Sequence, residues 1–405
     1  MHAHRPHPPR RRHARGFTLV ELMVALTIGL VLALAISLSM LSMGRQFRVV
    51  GATSSAQVNS QLALSLIDGA GRTAGAGLFN NGQLVCPTFN AWNAGTTVSN
   101  GAALLPARII DGGSATAPDR LVFTASNAIG PLSGMPVLAP MGAGADPITI
   151  TDAGRIAVND LAIVGVPGSA AVPCTLFQAT AIATDTTGAS CGGNANRCKA
   201  LTHTPGGNYN PPTGTFTNEP RYGFTTAGGV TGPAAVMGLG TGFRQEAFAV
   251  LCETLVQYDA FSDTPTCTTT PLNFAGGANA LVTDIVALQA QYGISNAANS
   301  DVVTAWVDAS GVDWANPSVA NIGRIKAVRV AIISRSKEAA SELVTPATCT
   351  NGGGVVNTGP CTFDDAEAPV INLSATAVPA GRSWRNYRYR VQQAVVPLRN
   401  VIWSN

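Results

Sequence analysis

The chain has 405 residues, enough for one large or two medium domains. Only 12% are charged and 46% hydrophobic, and glycine (43) and proline (25) are abundant, which argues against a helical protein and for a loop-rich β protein. The net charge of +3 belongs to residues 1–16; the rest carries 20 basic and 22 acidic residues, leaving no electrostatic footprint for nucleic acid.

Residues 1–16 form a leader with Arg5, Arg10, Arg11, Arg12 and Arg15, no acid, and four of the five histidines. From Leu22 to Met43 there are 22 residues without a charge. At a helical rise of ~1.5 Å per residue this is about 33 Å, enough to span a hydrocarbon core of ~30 Å. The arginine bias puts the leader on the cytoplasmic side and the large C-terminal part outside. The run exceeds the h-region of a secretory signal, and no small-residue cleavage site closes it. A plain anchor does not explain Glu21, a carboxylate at the edge of the span where charge is costly.

Gly16-Phe17-Thr18-Leu19-Val20-Glu21, set between the basic leader and the apolar run, resembles the class III signal of type IV pilins and type II secretion pseudopilins. The resemblance implies that prepilin peptidase cuts after Gly16 and N-methylates Phe17. Glu21 then becomes the fifth residue of the mature chain. Cleavage creates an α-amino group at Phe17, and in a filament the amine of one subunit can meet the Glu21 carboxylate of its neighbour. A buried pair of this kind serves register more than net stability.

From Gln46 to Asp68, the apolar residues Phe47, Val50, Leu62, Leu66 and Ile67 recur at helical spacing among polar residues. Gly69, Gly71, Gly75 and Gly77 signal its end. The spacing predicts a helix whose first part (17–44) lies in the membrane or filament core. Its amphipathic continuation (45–78) is expected to pack on a globular head.

The head, residues 79–405, breaks into short β-like runs between Gly, Pro, Asn and Thr clusters. Candidate strands are Arg120–Ala125, Ile148–Thr151, Leu161–Val166, Thr175–Ile182, Phe248–Tyr258, Ile325–Ser334 and Tyr387–Leu398. The last two alternate as half-buried antiparallel strands do. Leu281–Ile294 fits either a strand or a short helix. Residues 86–115, 183–245 and 261–280 are expected to be enlarged surface loops.

All eight cysteines follow the span: Cys86, Cys174, Cys191, Cys198, Cys252, Cys267, Cys349 and Cys361. An even set beyond a membrane, without a CxxC pair, indicates disulfides in an oxidising compartment rather than zinc. Local pairing gives Cys191–Cys198, Cys252–Cys267 and Cys349–Cys361, and elimination leaves Cys86–Cys174.

Other constellations point to no chemistry. "MGLGTGF" (Met237–Phe243) lacks the strand-to-helix context of a nucleotide loop and reads as a flexible turn. Asp364, Asp365 and Glu367 lack EF-hand spacing and read as a solvated acidic loop. His203, the one base available for triad chemistry, lies in a turn-rich loop with no nucleophile elbow. No enzyme activity, metal or cofactor is expected. The strand-borne aromatics are expected to be core.

"RTAGAGLF", "VNDLAIVGVPGSAAVPCTLFQAT", "LVTDIVALQAQYGI", Trp306, "IKAVRVAIISRS" and "YRYRVQQAVVPLRN" are together similar to the PilW family of minor pilins. Family members often place a cysteine soon after the long helix; here it is delayed to Cys86, which leaves the partner of Cys86 open. The resemblance implies an α+β, pilin-like fold, with a long N-terminal helix packed on an antiparallel β-sheet head bearing long disulfide-containing loops. It also implies a minor pilin that helps to initiate type IV pilus assembly and is incorporated near the tip. The implied partners are prepilin peptidase, other minor pilins, the major pilin and a PilY-type tip adhesin. The chain would sit in the inner membrane with its head periplasmic, then in the extracellular pilus. Two alternatives share these signals: a minor pseudopilin of type II secretion similar to the J component, and a pilus-borne adhesin using its large loops. The large head and long loops favour the pilus.

Overall fold

The computed structural model describes residues 18–80, 83–126, 134–139, 141–152, 156–186, 198–216, 234–240, 243–269 and 272–402. It divides into two compact units, residues 1–54 and 55–405. One helix, α1 (Leu19–Thr73), is continuous in sequence through that division.

In the first unit α1 is built from leucine, alanine, valine, isoleucine and methionine with no proline, and its described side chains are exposed. Two of its hydroxyls bond within the helix: Thr27 Oγ1 donates to Val24 O (2.9 Å) and Ser37 Oγ to Ala33 O (2.8 Å).

In the second unit α1 buries Ala56, Ser60, Ala63, Ile67 and Ala70, at spacings of four, three, four and three residues. That is one face of a helix. Leu62 and Leu66, expected on the packed face, point outward with Val58. Apart from Ile67, the packed face is made of small residues, and the sheet comes close. A Cβ on Gly71 would lie 2.3 Å from Val396 Cγ1. Gly71 therefore marks a contact rather than the helix end. The helix stops at Thr73, short of residue 78, where Gly75 and Gly77 take positive φ (78° each).

Among the described residues the head holds three larger sheets, largely antiparallel. Six strands run in the order Thr96–Ala103, Thr88–Asn93, Cys174–Gln178, Leu161–Gly165, Ala235–Gly240, Met135–Pro136, with one parallel pair between Cys174–Gln178 and Thr88–Asn93. Five run Asn279–Thr283, Thr254–Asp259, Arg244–Leu251, Arg120–Ala125, Ala107–Ile110. The C-terminal sheet has four: Ala305–Asp308, Ile285–Ile294, Ile325–Arg335, Tyr389–Pro397. One core joins Ala63, Ile67 and Ala70 of α1 to Leu104, Phe123, Leu288, Val328, Val330 and Ile332.

Several expectations change. Phe248–Tyr258 is a hairpin that turns at Cys252 and Glu253, both at positive φ (45° and 56°). Thr175–Ile182 divides into strands Cys174–Gln178 and Ala181–Thr184. Leu281–Ile294 is strand throughout except Asp284. "MGLGTGF" contributes the end of the strand Ala235–Gly240 instead of a turn; Thr241 and Gly242 lie outside the described residues. Residues 86–115, expected to be an enlarged surface loop, contain the hairpin Thr88–Ala103 and strand Ala107–Ile110.

The strand Ile325–Arg335, expected to be half-buried, is buried on both faces up to Ser334. Val328, Val330 and Ile332 face the α1 side, and Ser334 Oγ donates to Ala56 O of α1 (2.7 Å). The opposite face, with Arg329 and Ile333, is covered by the segment that follows the strand: Phe363 and Asp365 meet Arg329, and Ile371 and Leu373 pack on Ile333.

Candidate functional site

The start of α1 carries the first candidate site. Thr18 precedes the helix and Glu21 is its third residue. Glu21 N donates to Thr18 Oγ1 (3.2 Å), and Thr18 N donates to Glu21 Oε2 (3.1 Å). This is a reciprocal capping box, in which side chains satisfy backbone donors that a helix end leaves unpaired. Thr18 Oγ1 also donates to Oε2 (3.1 Å). The carboxylate additionally suits the positive end of the helix dipole. Both bonds to the carboxylate use Oε2; among the described residues Oε1 accepts none and is open to a second partner. Gly16 and Phe17 lie outside the described residues. Sequence reasoning found the acid and missed its threonine partner, although T-x-x-E before an apolar run is a legible signal.

Behind this cap, Leu19–Met40 is long and apolar enough to cross a membrane, and none of it is buried in the protein. In the second unit, Val58, Leu62 and Leu66 form an outward apolar stripe at spacings of four residues, 57%, 47% and 37% exposed.

The cysteines tie the head at separate points. Cys86 is bonded to Cys174, Cys252 to Cys267 and Cys349 to Cys361. Cys198 is also disulfide-bonded; Cys191 lies outside the described residues. Cys86 and Cys174 are buried in the main core. Cys252 sits in the hairpin turn and Cys267 in the short hairpin Thr266–Ala275.

The acids that follow the third disulfide are exposed (Asp364, Glu367) or half-buried (Asp365), as a solvated loop would have them, but each also holds a specific partner. Asp365 makes two hydrogen bonds to Arg329, from Nη1 (2.6 Å) and Nη2 (3.1 Å). Arg329 Nε donates to Gln291 Oε1 (2.6 Å), and the guanidinium lies between the rings of Trp306 (4.8 Å) and Phe363 (4.5 Å). Gly293 makes room for Trp306 to lie across the sheet, since a Cβ there would be 2.6 Å from the indole. Glu367 accepts from Trp306 N (2.7 Å), and Asp364 accepts from Gly352 N. Asn351 Nδ2 donates to Phe363 O and Asp365 O, 2.8 Å each. The hydrogen bond from Arg329 holds the Asp365 carboxyl below the usual carboxylate range. Arg329 carried no recognisable signal within its apolar strand.

A second polar junction closes the edge of the same sheet. Strand Ala305–Asp308 pairs only with residues 291–294 of its neighbour, leaving residues 285–290 uncovered on that side. Residues 117–119 fill the gap. Asp119 N donates to Leu288 O (2.8 Å), Ala290 N donates to Asp119 Oδ2 (2.8 Å), and Gln289 Nε2 donates to Ala117 O (2.9 Å). Burial pushes the Asp119 carboxyl up to about 7, against the two backbone donors Gly112 N and Ala290 N that favour its charged form. A cavity of about 210 Å³ beside it is lined by Asp111, Asp308 and Pro369.

No cluster among the described residues has the makings of a metal site. His203 packs its ring against Phe177 (5.5 Å), with Nε2 3.0 Å from Asp146 O.

Residues 265–400 match the family model described as Type IV Pilus-assembly protein W, and residues 11–37 match the Prokaryotic N-terminal methylation motif. The longer match covers the whole C-terminal sheet and the loop that closes it. No curated protein and no solved structure matches the chain.

Proposed function

We propose that this chain, a prepilin-type pilin of the PilW family, is a minor pilin that takes part in starting type IV pilus assembly and is incorporated near the pilus tip. The observation that carries the reading is the joining of the two family matches on one chain: a processing signal at one end and a PilW head at the other. The apolar helix and the methylation motif make it a membrane-anchored pilin. In the proposed topology the leader is cytoplasmic and the head periplasmic until assembly.

The geometry at Glu21 supports a two-stage role. Before assembly its Oε2 caps the helix with Thr18. After cleavage between Gly16 and Phe17, Oε1 receives the methylated α-amine of a neighbouring subunit. The cap and the subunit contact use different oxygens, so docking does not require the helix end to unravel. The outward Val58, Leu62 and Leu66 stripe offers a further apolar surface on which neighbouring helices can pack. Proposed partners are prepilin peptidase, the other minor pilins, the major pilin and a PilY-type tip adhesin.

Intact-mass analysis with and without the peptidase tests the processing. The mature chain should begin at N-methyl-Phe17. A chain that keeps Met1 in the presence of the peptidase, or is cut beyond Met43, overturns it. Gene deletion tests the role: lost piliation with intact exoprotein secretion is expected, and the reverse would assign a J-like pseudopilin of type II secretion.

A further inference from the structure

Outside the leader the chain has few basic residues, yet four arginines fall in nine positions: Arg382, Arg385, Arg388 and Arg390. Backbone contacts gather them with Lys337 and Leu343. Arg382 Nη1 donates to Ala340 O (3.2 Å), and Val344 N donates to Arg385 O (2.9 Å). Asn386 Nδ2 donates to Glu342 O (3.0 Å), and Arg388 N donates to Ser336 Oγ (3.1 Å). Lys337, Arg382 and Arg390 are exposed, Arg385 and Arg388 half-buried, and Leu343 is 55% exposed in their midst. None of the five cations forms an ion pair among the described residues. Glu338 and Glu342 are the acids on these segments, so the patch is net positive.

Its place in the head is specific. Ser334 and Arg390 are partners in the sheet, and Ser334 contacts Ala56, at the beginning of the packed part of α1. At the other end of the same strand pair, Val396 meets Gly71 and Asn400 Nδ2 donates to Ala74 O (3.0 Å). The basic group is therefore at the end of the head where the chain arrives from the apolar span. Only twelve residues separate Met43 from Ala56. Even fully extended they reach about 45 Å, so an anchored chain holds this end of the head near the bilayer.

We propose that this patch is a docking surface for anionic phospholipid headgroups of the membrane that holds the unassembled pilin. Arginine suits the ligand: its planar fork binds phosphate oxygens in pairs. Leu343 is placed to enter the interface between headgroups, as apolar side chains flanked by cations do at bilayer surfaces. The contact holds the head down before assembly and is released when the subunit leaves the bilayer. The proposal rests on the membrane-anchored reading.

The test is hydrogen–deuterium exchange on the full chain in lipid nanodiscs, comparing pure phosphatidylcholine with a phosphatidylcholine–phosphatidylglycerol mixture. Exchange in residues 336–345 and 382–390 should slow on the order of tenfold in the anionic discs, the scale of a few cations at an anionic surface. About 0.5 M salt should remove the effect, because screening then acts within a few ångströms. The Lys337→Glu/Arg382→Glu/Arg390→Glu variant should lose it while strand Ile285–Ile294 keeps its protection. Equal exchange in both discs, with the chain retained on them, overturns the proposal. Protection that instead requires an added pilin overturns it in favour of a protein partner. A chain that does not stay with the discs overturns the anchored reading itself.

Discussion

The two covers of the C-terminal sheet are built on different principles. On one face, α1 closes over Val328, Val330 and Ile332 with Ile67 and otherwise with alanines, a serine and a glycine, a contact of shape. On the other face and along the open edge, irregular segments are fixed by carboxylates: Asp365 on Arg329, and Asp119 against Ala290. A regular helix can bury a continuous apolar face, whereas a loop offers few apolar side chains and must also satisfy its own backbone. Loops therefore hold by specific polar anchors, and those anchors answer to pH and to the loss of a single atom group in ways the helix contact does not.

The edge anchor should show the largest response. Two backbone hydrogen bonds favour ionised Asp119 by about 1–1.5 kcal/mol each, but the desolvation of a buried charge costs several, and burial wins. The folded-state carboxyl titrates near 7, above its unfolded value of ~3.9. Its contribution to stability is thus complete below ~3.9 and is lost as pH rises through about 7, on the order of 4 kcal/mol in all. Thermal melts of the wild type from pH 4.5 to 8 should show this fall, and Asp119→Asn should flatten it. Parallel pH profiles for the two proteins would mean that Asp119 is ionised throughout.

The face anchor should respond less, and with the opposite pH sign. Arg329 is 2% exposed in its side chain, whereas Asp365 is 44% exposed. Asp365→Ala leaves a buried cation with Gln291 as its remaining acceptor. Removing one partner of a fully buried pair costs ~3–5 kcal/mol, and the exposure of Asp365 lowers this to about 2–3 kcal/mol. Arg329→Met, which removes the charge and keeps the bulk, should cost clearly less in a denaturant melt. The reverse order would show that ring packing, rather than neutralisation, holds the loop. Because Arg329 depresses the Asp365 carboxyl, this contribution is present above ~3.9 and is lost as pH falls through the lower folded value.

This division also sets how much was legible in the sequence. The apolar span and the apolar strand "IKAVRVAIIS" are legible directly, because period and hydrophobicity are local properties, although the alternation suggested one buried face and the strand is buried on both. Asp365 and Arg329 are 36 residues apart, and each alone resembles an ordinary surface charge or a strand outlier. The loop from Phe363 to Leu373 has no period at all, so its return over the sheet left no trace in the pattern. Leu62 and Leu66 misled for a related reason. Periodicity shows that a helix has an apolar stripe, but in α1 both faces carry one, and the smaller residues face inward because the sheet is so close. The T-x-x-E cap differs, since it was local and readable beside a more conspicuous acid.

The smallest effects test the shape contact, through two glycines two residues apart on α1. Gly69 is exposed and a Cβ there meets nothing within 4 Å, so Gly69→Ala should stabilise by about 0.5–1 kcal/mol through helix propensity. Gly71→Ala gains the same propensity, but its methyl would sit 2.3 Å from Val396 Cγ1 and 3.4 Å from Phe123. Overpacking of this kind costs ~1–3 kcal/mol, which leaves a net loss of about 1 kcal/mol. Val396→Ala removes the clashing atom, so in the double variant Gly71→Ala should become favourable, a coupling that a double-mutant cycle measures. If both glycine substitutions stabilise equally in the wild-type background, the helix and sheet have slack between them. The contact would then depend on apolar burial alone, without the close fit that places small residues on this face.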